Sequence, residues 1–138
     1  MLRYAVAWLS TAVVFVALDA VWLTNMGGWY RAALGDLMAP EFRLAPAAIF
    51  YVLFLTGLVV FAVAPALGEG RFATALVQGA LFGFFTYATY DLTNQATLAH
   101  WPLKLTLVDL AWGATLSGVS AAFGYLIASA VLARISAP

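Results

Sequence analysis

Apolar residues along this chain fall into four long runs separated by short polar punctuation, and none alternates with the period of a strand. The runs extend from about Tyr4 to Thr24, from near Pro46 to Pro65, from about Phe72 to Thr93, and from about Lys104 to Leu132. A helix needs about 20 residues to cross a hydrocarbon core. In that core the backbone must satisfy its own polar groups, so runs of this length predict α-helices. Pro46 suits the first turn of the second one. The expected fold is all-α: one transmembrane domain over residues 1–138, built as an integral membrane bundle of four transmembrane helices.

The connections differ in character. Pro65 to Arg71 is a tight turn, which makes spans two and three antiparallel neighbours. Asn25-Met26-Gly27-Gly28 is read as the break that ends span one. Beyond it, Tyr30, Leu34, Leu37 and Met38 recur at helical spacing, with Trp29 alongside. That pattern suggests a short interfacial helix between spans one and two. Trp101-Pro102 is expected at the interface where span four begins.

Composition narrows the class further. Hydrophobic residues make up 65% of the chain and charged residues 9%, against about 25% charged in an ordinary soluble domain. Six Lys/Arg, six Asp/Glu and one His could not solvate so apolar a surface, which excludes a soluble enzyme, a disordered segment and a nucleic-acid binder. Without cysteine there is no disulfide, thiolate zinc or iron–sulfur site. The single His100 leaves no His-rich metal centre, and no metal or cofactor is implied. The apolar run after Met1-Leu2-Arg3 exceeds the ~7–15 residues of a signal-peptide core, so it is expected to be a retained first span.

Four spans place both termini on one face, with Arg3, Arg71 and Arg134; the other face carries Arg31, Arg43 and Lys104. The basic residues balance, and local context favours both termini cytoplasmic.

The candidate chemistry lies in the exceptions to this scarcity of charge. Asp19, Asp91 and Asp109, half of the acidic residues, fall within spans. A charge at a helix centre costs about 2.5–3.5 kcal/mol on insertion scales, less near the interface. At 1.5 Å per residue all three lie within roughly 10 Å of one membrane face, the face of the two longer loops. Asp19 and Trp22 share a helical face, as do Asp109 and Trp112. In span three Tyr87, Asp91 and Asn94 lie on one face with Tyr90 beside it. The expected site is a polar pocket with an aromatic wall. Asp19, Asp91 and Asp109 are its candidate acid–base groups, and Trp22, Tyr87, Tyr90, Asn94 and Trp112 its candidate ligand contacts. The alternative is structural: the carboxylates bond donors on neighbouring helices, or Arg31, Arg43 or Lys104 reach in to pair with them. The rows Gly79-x-x-x-Gly83 and Gly113, Ser117, Ala121 point to close helix packing.

The run Tyr90-Asp91-Leu92-Thr93-Asn94-Gln95-Ala96-Thr97-Leu98, then Trp101-Pro102 and Asp109-Leu110-Ala111-Trp112-Gly113, together with Asp19-Ala-Val-Trp22-Leu, resembles a domain-of-unknown-function family of small bacterial four-span membrane proteins. The resemblance covers essentially the whole chain. It implies four spans and no settled activity. Genes of such proteins neighbour those for fatty-acid modification and photo-oxidative stress, which implies a lipid or lipid-derived substrate.

Three functions compete. The first is an enzyme or binding protein for a lipid-like or apolar small molecule, with the reaction left open. The second is a non-catalytic assembly or scaffold protein. The third is a proton-coupled transporter or channel component. Expected partners are membrane lipids, an apolar ligand and further copies of the chain as a homo-oligomer.

Overall fold

In the computed structural model, which describes residues 1–137, all four apolar runs are helices. Helix α1 spans Leu2–Leu34 and ends at Gly35, whose φ of 51° suits a residue without a Cβ. One 3₁₀ turn, Gly35–Leu37, follows. Helix α2 covers Leu44–Glu69, α3 Phe72–Thr97 and α4 Leu103–Ile135. Each carries large apolar side chains on its outer surface, among them Val13, Leu53, Phe85 and Leu107, as a lipid-facing bundle must.

Helix α1 corrects the expected break. The stretch Asn25–Gly28 stays helical, and no separate interfacial helix forms: Trp29, Tyr30 and Leu34 belong to the last turns of α1. The reason is local. Thr24 Oγ1 donates to Ala20 O at 2.7 Å and Asn25 Nδ2 to Val21 O at 2.7 Å. These polar side chains are satisfied by the preceding turn and do not end the helix.

Helix α2 is regular except for a π-helical segment, Val59–Val63, in which the Ala64 N–H reaches back to Val59 O. Pro65 follows at once. It has no N–H, and its ring would clash with the carbonyl four residues back in a regular α-helix. The extra residue in the turn relieves that conflict. The helix ends at Gly70, left-handed with φ 67°, where Arg71 N–H donates to Ala66 O at 3.2 Å. Only two residues, Gly70 and Arg71, therefore separate α2 from α3.

Helices α3 and α4 form the closest pair and stay together along their length, while α1 packs on another side of α4. Glycine permits the α3–α4 approach. A Cβ at Gly79 would stand 2.7 Å from Ala121 Cβ and 2.8 Å from Ser117 O, and a Cβ at Gly83 would overlap Gly113 O and Ser117. The small-residue rows are thus the seam of the bundle. Helix α2 packs on α3 through its second half, from the π segment onward; its first half makes few contacts with α3 and diverges. The core between the helices is filled by Phe15, Leu55, Leu58, Val63 and Leu116 and by alanines such as Ala62 and Ala121. The N-terminus lies at the α2–α3 turn, where the Arg3 guanidinium comes near Gly68.

Candidate functional site

The three intramembrane carboxylates are all buried: Asp91 completely, Asp19 to 8% and Asp109 to 7% residual exposure. Each meets a different solution. Asp19, on α1, accepts a hydrogen bond from the Tyr51 hydroxyl of α2. Asp109, on α4, accepts one from the Tyr30 hydroxyl in the last turns of α1. Tyr30 is itself oriented, because Trp22 Nε1 donates to its oxygen at 3.1 Å. Trp22 in turn stacks on Trp112 of α4, with ring centroids 4.1 Å apart and planes within 6°. The Asp–Trp pairs of α1 and α4 therefore meet as one unit in which Trp22 holds Tyr30 and Tyr30 holds Asp109. Asp91, on α3, has no hydrogen-bond partner at either oxygen, nor does Trp112 Nε1. A buried carboxylate left unpaired is costly, and Asp109 lies close enough to interact with it electrostatically. The Tyr87 hydroxyl stands within electrostatic range of Asp19, Asp109, Tyr30 and Tyr51.

Beside this cluster lies a cavity of about 400 Å³. Its walls are Phe50 and Phe54 from α2, Thr86, Tyr87 and Tyr90 from α3, and Asp109 from α4. It exists because the first half of α2 leans away from α3. Phe50, Phe54 and Thr86 also border a shallower groove that continues over Pro46, Ile49, Leu53 and Phe82 on the outer surface. Ile49 is 60% exposed and Leu53 67%, so the groove leads from the lipid-facing surface inward to Asp109. The α3–α4 connection steadies one end: Trp101 Nε1 donates to Thr106 Oγ1 at 3.0 Å, Thr106 donates to Gln95 Oε1 at 3.0 Å, and the Trp101 ring meets Tyr90 edge-on at 5.7 Å.

Residues 4–126 match the family model described as a predicted membrane protein, DUF2177. The chain belongs to that family. No curated protein and no solved structure matches it. For a DUF2177 chain the family gives the membrane setting and leaves the activity open, so the chemistry must come from the site itself.

Of the residues singled out from the sequence, Tyr87, Tyr90 and Asp109 line the cavity. Asp19, Trp22 and Trp112 lie outside its lining and support it through the contacts above, while Asp91 and Asn94 are also outside. The basic side chains do not reach in to the carboxylates as one alternative had it. Lys104 instead sits over the Trp29 ring, 5.9 Å from its centroid. Among the described residues, no group of three or more His, Cys, Asp or Glu side chains could hold a metal ion. Sequence reasoning missed Tyr30, Tyr51, Phe50, Phe54 and Thr86. The spacing of Tyr30, Leu34, Leu37 and Met38 suggests a separate interfacial helix, and Tyr51 looks in sequence like any aromatic of an apolar span. The usable signal was simple: three buried acids require donors, and the tyrosine hydroxyls of these helices can supply them.

Chemically, the cavity offers one carboxylate held by a phenol in otherwise apolar and aromatic surroundings. Such a group can accept a hydrogen bond from a ligand, pair with a cation, or exchange a proton with a bound molecule.

Proposed function

We propose that the chain binds a lipid-like, single-chain molecule entering from the bilayer, and holds its polar end at Asp109 for binding or modification. The observation that carries this reading is the position of the cavity. It opens along the α2–α3 groove on the lipid-facing surface and ends at a carboxylate fixed by Tyr30. A volume of about 400 Å³ lies within the range of small-molecule sites. Binding is favoured over conduction because Leu58, Val63 and Leu116 fill the middle of the bundle, each under 2% exposed. The lining comes from one chain, so the reading holds for a monomer or a homo-oligomer alike.

The location that accompanies this reading is the inner membrane of a bacterium with both termini in the cytoplasm, which puts Arg3, Arg71 and Arg134 on the cytoplasmic face and Arg31, Arg43 and Lys104 on the opposite one. The test of function is retained lipid. The wild-type chain, purified in a neutral detergent, should carry single-chain lipid detectable by mass spectrometry. Thr86→Trp, which fills the cavity from its α3 wall, should lose that lipid while remaining folded. Equal lipid on both proteins would refute the reading.

A further inference from the structure

The headgroup chemistry can be read from the cavity wall. Asp109 is the single charged residue in the lining. Phe50, Phe54, Tyr87 and Tyr90 surround it with aromatic rings. A carboxylate inside an aromatic enclosure suits an ammonium group, which is attracted both to the anion and to the negative faces of the rings. A neutral hydroxyl would satisfy Asp109 but gain little from the rings. A carboxylate or phosphate would meet Asp109 with no basic side chain in the lining to offset it.

A second observation points the same way. Asp91 is fully buried, its two oxygens have no partner, and it lies within electrostatic range of Asp109. The protein thus leaves a second acidic side chain without a partner near the first, and Lys104 sits over the Trp29 ring instead. A cation at Asp109 would relieve both. Resting on the function proposed above, we infer that the site selects an ammonium head on a single apolar chain: a long-chain amine or quaternary ammonium amphiphile, its chain lying in the α2–α3 groove.

The experiment uses the full chain in nanodiscs and a photoreactive alkyltrimethylammonium probe whose diazirine sits in the alkyl chain. Labelling is expected on α2 around Phe50–Phe54 and on α3 around Thr86–Tyr90. Unlabelled alkyltrimethylammonium should compete at least about tenfold better than the carboxylate of equal chain length, as expected for a desolvated cation among rings. Asp109→Asn should reduce that preference to near parity while leaving competition by the corresponding alcohol unchanged. If Asp109→Asn does not fold, Tyr90→Leu serves: it removes one ring, keeps the carboxylate, and should cut the preference for the cation.

Equal competition by cation and carboxylate in the wild type would overturn the headgroup inference and leave chain binding standing. Competition by a phosphocholine amphiphile equal to that of the simple cation would also overturn it, assigning the site to a zwitterionic lipid headgroup. Absence of labelling in the groove, with no competition by any of these chains, would overturn both the inference and the function it rests on.

Discussion

Gly79→Ala tests whether the α3–α4 seam holds the bundle. In lipid the hydrophobic effect gives helices little reason to associate, so close packing supplies much of the association energy. A Cβ at position 79 would lie 2.7 Å from Ala121 Cβ and 2.8 Å from Ser117 O, where ordinary contact begins at 3.4 Å. Neither neighbour is the free end of a flexible side chain: one is a Cβ fixed to its helix, the other a backbone carbonyl. The helices must therefore part locally by about 0.7 Å, and a gap of ~0.5–1 Å forfeits about a quarter to a half of the dispersion energy of each atom pair it opens. Summed over one or two helical turns, this predicts a loss of about 1–3 kcal/mol, the usual range for overpacking. Gly83→Ala should cost more, because its Cβ would overlap the Gly113 carbonyl itself.

The assay is reversible unfolding in mixed micelles, followed by tryptophan fluorescence. Gly27→Ala and Gly28→Ala in α1 are the controls. A Cβ at either position meets nothing within 4 Å, so the better helix propensity of alanine should leave stability unchanged or raise it by roughly 0.5–1 kcal/mol. Gly79→Ala as stable as the wild type would show that α3 and α4 are not held at this distance, and the placement of Asp91 next to Asp109 would lose its support.

Two further predictions concern the carboxylates. Tyr51→Phe removes the donor to Asp19 and should destabilise the bundle by about 1–3 kcal/mol, the cost of stranding a buried acceptor; in a cycle with Asp19→Asn the double variant should lose less than the two single losses added together, whereas strict additivity in the same unfolding assay would rule out the contact. Asp91→Asn replaces a buried carboxyl that has no partner by an amide that cannot ionise and should leave stability unchanged or raise it; a clear loss in the unfolding midpoint would mean that the carboxyl is satisfied in the membrane.

The four spans were legible because the membrane demands long apolar helices, and Asp19, Asp91 and Asp109 stood out as the acids inside them. The end of α1 was not legible. Thr24, Asn25, Gly27 and Gly28 read as a chain leaving the membrane, and a sequence does not distinguish leaving the membrane from leaving the helix. Here the side chains bond back to Ala20 and Val21, and α1 carries Tyr30 onward to Asp109. The acids could be found one at a time, since each is anomalous where it stands. Their partners could not, because the meeting of Tyr51 with Asp19, or of Trp22 with Trp112, depends on how each helix is rotated about its axis. The short turn announced α2 and α3 as neighbours and the small-residue rows announced close packing, but that these rows bring α3 onto α4 is seen only in the structure.

That same contact accounts for the cavity. Helix α3 turns Gly79 and Gly83 to α4 and, on the adjoining face, Phe82 and Thr86 to α2. Phe82 lies against Gly57, where an added Cβ would stand 2.8 Å from the end of its ring. Toward the turn they remain together, because the short connection through Gly70 and the π segment hold them there. Toward Pro46 nothing small remains at the contact. Phe50, Phe54 and Tyr87 stand between the helices, with the Phe54 and Tyr87 ring centroids 6.3 Å apart, and the space they leave is the cavity ending at Asp109. One face of α3 is made of glycine and closes, and the neighbouring face is made of rings and stays open. The position of the only charged residue in the lining follows from that difference, because the closed seam carries Asp109 to the inner end of the open one.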